Sequence, residues 1–284
     1  MQTVVLPGGE GVPALGLGTW RLGESTRARA AEVAAVRLAL QIGCRLIDTA
    51  EMYGEGGAEE VVGEAVAQAL AAGELTRDEL FIVSKVYPHN ASRSGTVAAC
   101  ERSLERLGLA HIDLYLLHWR SGHALRDTVA AFEALKKSGR IRHWGVSNFD
   151  VADMDELMQV EHGAHCAANQ VYYAASRRGI EFDLLPWLRT HGIACMAYCP
   201  LDRGELAGDS VLKSIGRRHA ASATQVALAW MLQQPGVISI PKAVREAHLR
   251  ENLAAAQLRL IPTDLAEIDR RFPPPRRKQP LAMT

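Results

Sequence analysis

Four side chains in the first half of the chain could act together on a carbonyl group: Asp48, Tyr53, Lys85 and His118. A free phenol gives up its proton at about pH 10, so a tyrosine alone is a weak acid near neutrality. A neighbouring ammonium stabilises the phenolate and lowers that value. Lys85 is the candidate ammonium. Asp48 is the counter-charge that holds it in place and keeps it protonated, since a buried lysine needs a partner. His118 can orient a carbonyl oxygen by hydrogen bond. Tyr53 then delivers a proton to that oxygen as it becomes an alkoxide. Taken singly, each residue has a plainer explanation. A lysine at a strand end more often snorkels to solvent. A histidine after an apolar run is more often structural, and Tyr53 alone reads as a turn or core aromatic. The four on one rim are much harder to ascribe to chance.

The spacing shows which elements must bring them together. In Arg45-Leu-Ile-Asp-Thr-Ala-Glu-Met-Tyr-Gly54 the pair Leu46-Ile47 reads as the end of a buried strand that delivers Asp48 into a turn. Five residues later the turn presents Tyr53. Gly54, Gly56 and Gly57 then let the backbone bend before helical spacing sets in over residues 58–71. Residues 3–13, with Gly8, Gly9 and Gly11 between short apolar pieces, predict a β-hairpin. From residue 15 onward, short apolar strands alternate with longer helical segments. The strands fall at 15–19, 45–49, 81–85, 114–118, 143–146, 167–171, 194–198 and 237–242. The helices between them fall at 26–41, 58–71, 96–107, 128–138, 152–159, 182–190 and 222–233. The last carries Ser222 and Gln225 in capping-box spacing. An extra helix is expected at 211–219, and two more, 248–255 and 263–271, after the eighth strand.

Such alternation predicts parallel strands with crossover helices, and eight repeats make a closed (β/α)8 TIM barrel of the α/β class. The competing open doubly wound sheet usually begins with a G-x-G-x-x-G turn. Here Gly16 and Gly18 are followed only by Gly23, and no acidic residue stands in the ribose-binding place. No linker or shift in composition divides the chain, so residues 1–284 are expected to be a single domain. The tail 273–280, rich in proline and charge, is expected to be irregular, at the barrel rim or in solvent.

In such a barrel the C-terminal strand ends converge on one mouth, where chemistry sits. These strands end in Trp20, Asp48, Lys85, His118-Trp119, Ser147-Asn148, Asn169-Gln170, Tyr198 and Lys242. A chain selected only for packing would end its strands in arbitrary turn residues. Proton donation alone reduces nothing, so a hydride source is required. Tyr198 can stack on a nicotinamide ring, and Ser147, Asn148 and Gln170 can hold its carboxamide.

Bulk properties narrow the partners. Lys plus Arg and Asp plus Glu both number 32, giving no net charge. Nucleic acid and anionic membranes select basic surfaces, so neither is an expected partner. Hydrophobic residues make up 48% of the chain, enough for a sizeable core. No apolar run is long enough to span a bilayer, and the first residues lack a secretory leader pattern. Cys44, Cys100, Cys166, Cys195 and Cys199 are scattered without CxxC spacing, which fits a reducing compartment, the cytoplasm by default.

The pieces Leu17-Gly-Thr-Trp20, Ile47-Asp-Thr-Ala-Glu-Met-Tyr53, Gly57-Ala-Glu-Glu with Gly63, Ser84-Lys85, Asp113-Leu-Tyr-Leu-Leu-His-Trp119, Gly145-Val-Ser-Asn-Phe149, Asn169-Gln170, Ala197-Tyr-Cys-Pro-Leu201 and Ile240-Pro-Lys242 with Glu251-Asn252 occur in order. Together they resemble the aldo-keto reductases over essentially the whole chain. Within that family the chain is most similar to bacterial reductases of methylglyoxal and related small aldehydes. The resemblance implies a barrel with the N-terminal hairpin across its base, a tetrad of Asp48, Tyr53, Lys85 and His118, and reduction of aldehydes and ketones to alcohols. It implies NADPH as cofactor, with NADH weaker, and a monomer. Cofactor contacts are implied at Gly18, Thr19, Trp20, Asp48, Ser147, Asn148, Gln170, Tyr198, Cys199, Leu201, Lys242, Ala243, His248, Glu251 and Asn252. Substrate contacts are implied at Trp20, Tyr53, Tyr87, His118 and Trp119.

The chain departs from the family pattern in places. Arg120 replaces a proline after His118-Trp119; it reads as a solvated rim arginine rather than an anion handle. Ala243 and His248 stand where many members have a serine and an arginine that grip the 2′-phosphate. NADPH is still expected to be preferred over NADH, with weaker discrimination than usual. Among other groupings, His162-Gly-Ala-His165-Cys166 has no second ligand pair nearby in sequence, so no metal is expected there. Cys199 is read as a buried thiol, and Glu51 as pointing outward or pairing locally. Two other functions share this architecture: a nucleotide-binding regulatory partner like the potassium-channel β-subunits, and a Schiff-base lyase using Lys85. Modest loops speak against the first, and Tyr53, Ser147-Asn148 and Tyr198 against the second.

Overall fold

The computed structural model describes residues 2–283. It opens with the hairpin, β1 (Thr3–Val5) antiparallel to β2 (Gly11–Pro13), with Val4 opposite Val12. Next come β3 (Leu17–Gly18), α1 (Arg29–Gln41), β4 (Leu46–Asp48), α2 (Gly57–Ala71), β5 (Phe81–Val86) and α3 (Arg93–Leu107). The middle of the chain holds β6 (Ile112–Leu117), α4 (Leu125–Lys137), β7 (Ile141–Ser147), α5 (Val151–Met158) and β8 (Ala168–Tyr172). It ends with α6 (Leu184–Thr190), β9 (Ala194–Tyr198), α7 (Ser210–Arg218), α8 (Ala223–Leu232), β10 (Val237–Ser239), α9 (Glu246–Ala254) and α10 (Pro262–Arg271).

Strands β3 to β10 pair in sequence order, all parallel. The ring closes where Leu15 bridges Ser239 and Gly18 bridges Lys242. Across that seam Gly16 N donates to Ser239 O at 2.9 Å and Ser239 N to Ala14 O at 2.8 Å. The sheet is therefore a closed (β/α)8 barrel and not an open one. Strands β4, β5, β6 and β8 are buried at every residue, as expected for parallel strands covered on both faces.

Alternation along each strand splits the core in two. Outward residues such as Ile47, Ile82, Tyr115 and Trp144 pack under the helices with Val36, Val61, Leu104 and Phe132. Inward residues Leu46, Phe81, Val83, Leu114, Leu116, Ala168, Met196 and Ile238 fill the barrel. Val4, Leu6 and Val12 of the hairpin belong to this inner cluster, so the hairpin plugs the N-terminal end. Glu10 locks it there, accepting from Arg142 Nη2 at 2.7 Å and meeting His143 Nε2 at 2.6 Å.

Element boundaries differ from the sequence expectation where caps decide them. The α3 helix starts at Arg93 rather than residue 96, because Ser92 accepts from Gly95 N at 3.1 Å and caps it. The tail runs irregularly along the rim: Lys278 Nζ lies 3.5 Å from Asp183 Oδ2, and Leu281 packs on the core.

Candidate active site

Because alternate residues of a strand face the same side, each inward apolar run delivers its next inward residue to the mouth. Leu46 is followed by Asp48, Phe81 and Val83 by Lys85, Leu114 and Leu116 by His118, Ala168 by Gln170, and Ala194 and Met196 by Tyr198. Asp48 is paired with Val83 in the sheet, which puts Lys85 just beyond it on the same face. Lys85 is fully buried. Its Nζ donates to Asp48 Oδ2 at 2.8 Å, to Thr49 O at 2.8 Å and to Tyr53 Oη at 3.3 Å, so all three ammonium protons have acceptors. Gln170 Nε2 donates to the other oxygen of Asp48 at 2.7 Å. The Tyr53 and His118 rings meet edge to face, centroids 5.7 Å apart. The four tetrad residues predicted from sequence therefore stand together.

Tyr53 arrives on a tight turn, 53–56, in which Gly54 has φ 57° and Gly56 φ 94°. Gly57 and Gly23 press backbone to backbone: a Cβ on Gly57 would fall 2.4 Å from Gly23 O. That contact seats the Tyr53 turn against the loop that follows Trp20.

Electrostatics at the mouth are governed by burial. It pushes the Asp48 carboxyl up and the Lys85 ammonium down, and their mutual contact opposes both shifts. Burial, with the Lys85 charge beside it, holds His118 well below the usual histidine range. The imidazole is thus neutral at physiological pH, and its Nδ1 has no hydrogen-bond partner among the described residues. Tyr53 departs from the sequence expectation. Its ring is half-buried and its hydroxyl faces the Lys85 ammonium, yet burial and the Asp48 carboxylate raise the phenol well above 10. The direction is therefore upward, opposite to the lowering expected from the ammonium alone.

Beside the tetrad lies a second set of predicted residues. Ser147 Oγ donates to Gln170 O at 2.8 Å. Asn148, at φ 58°, donates from Nδ2 to His118 O and to Ser147 Oγ, both at 3.2 Å. Its Oδ1 accepts from Tyr198 Oη at 2.9 Å. Tyr198 is half-buried and leans on Tyr172, ring centroids 5.4 Å apart. Thr19 Oγ1 donates to Asp48 O at 2.9 Å, and Gly18 bridges Lys242, so both stand at the same end of the barrel. Cys199 (φ 49°) and half-buried Leu201 begin a loop held by buried Asp202. That carboxylate accepts from Tyr172 Oη and from Ser176 Oγ, the latter at 2.7 Å.

Ala243 and Asn252 are buried, while His248 Nδ1 lies 3.7 Å from Glu251 Oε2 and is partly committed to it. Lys242 and Arg245 are exposed and, among the described residues, have no carboxylate partner. Arg245 precedes α9, whose N-terminus has no side-chain cap. Two unpaired cations beside uncapped amides suit a phosphate. No sequence signal marks Arg245, because the family pattern puts the phosphate-gripping cation at the position of His248.

Three of the predicted substrate-wall residues, His118, Trp119 and Tyr87, pack together. The His118 and Trp119 rings are 4.8 Å apart, and Trp119 meets Tyr87 edge to face at 5.8 Å. Trp20 is half-buried with the Arg21 guanidinium 4.6 Å from its ring centroid.

Two acids were misjudged or missed. Glu51 does not point outward: it is buried, accepting from Tyr87 N at 2.7 Å and Asn90 Nδ2 at 3.0 Å, and so anchors the turn that carries Tyr87. Glu59 is buried behind β5, taking Ser84 Oγ at 2.5 Å and Arg106 Nε at 2.6 Å. Arg120 pairs with Glu156 at 2.7 Å and is not aimed at the mouth.

A sequence model of the aldo/keto reductase family matches residues 14–271. The chain is 47% identical over 287 aligned residues to a methylglyoxal reductase, YeaE, of Escherichia coli, covering 99% of each. It is 37% identical to a glyoxal reductase of Bacillus subtilis, covering 94% of this chain and 92% of that one. Among solved structures, an aldo-keto reductase from Klebsiella pneumoniae in complex with NADPH superposes with a TM-score of 0.94 at 45% identity, covering 100% of this chain and 99% of that one.

Proposed function

The chain belongs to the aldo/keto reductase family, and from that premise we propose that it reduces small aldehydes, methylglyoxal among them, to alcohols with NADPH. The observation that most supports this is the Lys85 Nζ, 2.8 Å from Asp48 and 3.3 Å from Tyr53. NADPH, when bound, supplies the hydride. Ser147, Asn148 and Gln170 would hold its carboxamide, Tyr198 would lie against its ring, and the exposed Lys242 and Arg245 would take its 2′-phosphate end. Neutral His118 donates a hydrogen bond to the substrate carbonyl and so polarises it. Tyr53 hands its proton to the oxygen as negative charge builds there. An alkoxide is more basic than any phenolate, so the raised affinity of Tyr53 for its proton does not block the transfer. It keeps the acid loaded at working pH. Trp20, Tyr87 and Trp119 wall the substrate. No helix among the described residues is long and apolar enough to cross a membrane. All five cysteines are free, which supports a reducing compartment. We take the working form to be a cytoplasmic monomer.

The test is loss of NADPH absorbance with methylglyoxal, repeated with Tyr53→Phe. The variant is expected to keep cofactor binding and lose nearly all reduction. An unchanged turnover rate removes Tyr53 from the acid role.

A further inference from the structure

The outside of the barrel carries a second cluster of chemically capable side chains that the reaction does not use. Glu133 on α4 and His162 and His165 in the turn between α5 and β8 each offer one ligand atom, and these atoms lie within 4.8 Å of one another. The turn leads into Ala168, the first residue of β8. The cluster therefore lies toward the N-terminal end of the strands, opposite the mouth.

Three features make it a built arrangement. First, His162 adopts a left-handed conformation, φ 66°. Gly163 follows, where a Cβ would fall 1.9 Å from Leu157 O, so no larger residue fits without moving the backbone. Second, this turn stacks the two imidazoles, centroids 5.2 Å apart and 26° from parallel. Third, Glu133 is steered by the buried Trp144, whose Nε1 donates to Oε1 at 2.7 Å. Outer hydrogen bonds of this kind orient metal-binding carboxylates. His165 Nδ1 reaches the same oxygen at 3.0 Å, a contact that a cation would replace. The Lys136 ammonium nearby opposes a cation. Exposed Glu161, 3.7 Å from His162 Nε2, offsets it.

Two imidazoles and one carboxylate suit borderline divalent ions, whereas Mg2+ and Ca2+ demand all-oxygen shells. Three protein ligands at an open surface leave a position for water. We propose that Glu133, His162 and His165 form a binding site for Zn2+ or a like divalent transition ion on the outer wall of the barrel, clamping α4 to the turn before β8. No second ligand pair stands near His162 and His165 in sequence; the third ligand, Glu133, comes from a helix earlier in the chain.

The full chain, freed of metal with a chelator, is titrated with Zn2+ by calorimetry and followed by thermal unfolding. One ion per chain and a raised Tm are expected, because an ion that binds only the folded state stabilises it. His162→Ala and His165→Ala, both at exposed positions, should each weaken binding at least about tenfold and abolish the rise in Tm, while metal-free reductase activity stays unchanged. Cu2+ should quench tryptophan fluorescence in the wild type and far less in either variant, reporting its approach to Trp144. No Zn2+ uptake at roughly 100 μM, or uptake and stabilisation that survive both histidine variants, would overturn the site.

Discussion

Replacing Lys85 with methionine keeps much of its volume and strips the ammonium from Asp48. That carboxylate is 2% exposed and would retain only the Gln170 hydrogen bond at 2.7 Å to its other oxygen. Removing one partner of a buried ion pair costs about 3–5 kcal/mol, because a charge is left without compensation. Against a total stability of about 5–15 kcal/mol this is a large fraction. At roughly 2–4 °C per kcal/mol for a chain of this size, Tm should fall by about 6–20 °C. Removing both charges, Asp48→Asn with Lys85→Met, leaves an amide that can still accept from Gln170, and replacing a whole buried pair is often near neutral. The double variant should therefore be more stable than Lys85→Met alone, while both lose reduction. The pH dependence has a definite sign. Without the ammonium, the folded-state affinity of Asp48 for a proton rises further above that of the unfolded chain. The deficit of Lys85→Met is thus full above that raised value and shrinks as pH falls through it. Urea unfolding at pH 7 and pH 5 reads all of this. A single variant that loses less than about 1 kcal/mol at pH 7, or a double variant no more stable than the single, refutes the buried ion pair.

Three other expectations follow from the same geometry. Glu51→Ala leaves Tyr87 N and Asn90 Nδ2 without their acceptor; about 1–3 kcal/mol of stability should be lost, with KM for methylglyoxal rising more than kcat falls. His118 refuses a proton that the unfolded chain accepts below about pH 6.5. Its contribution to stability is therefore full above that pH and lost as pH falls, and urea midpoints between pH 7 and 5 should decline less steeply in His118→Gln than in the wild type. Ala243→Ser combined with His248→Arg adds a hydroxyl and a permanent cation at the proposed 2′-phosphate end. The ratio of kcat/KM with NADPH to that with NADH should rise about tenfold or more, as expected for charge-assisted hydrogen bonds. No change in the ratio would mean that Lys242 and Arg245 already saturate the phosphate.

What could be read from the residues was direction, and what could not was depth. Lys85 and His118 were legible because each ends a continuous apolar run, Phe-Ile-Val-Ser and Leu-Tyr-Leu-Leu, that reads as a buried strand. Asp48, Gln170 and Tyr198 were likewise read at strand ends. Glu51 was misread because its partners, Tyr87 and Asn90, come from the next strand's turn, and no local pattern announces such a contact. Glu133 stayed hidden as a ligand for a similar reason: which helix face packs beside the turn at His162 is settled by how α4 seats on β7 through Trp144. For Tyr53 the position was legible and the direction of its shift was not. Proximity to Lys85 was correctly inferred, but the sign of the net shift depends on how much water the mouth excludes, and composition does not encode that. The dryness that raises the Tyr53 phenol also neutralises His118 and leaves Asp48 and Lys85 dependent on each other. A hydrated mouth would make Tyr53 a better acid in the resting protein and would weaken every hydrogen bond aimed at a developing alkoxide. On the proposed reading of Tyr53 as the acid, holding the proton tightly until the alkoxide exists is the expected behaviour, since the only strong base it meets is the product it creates.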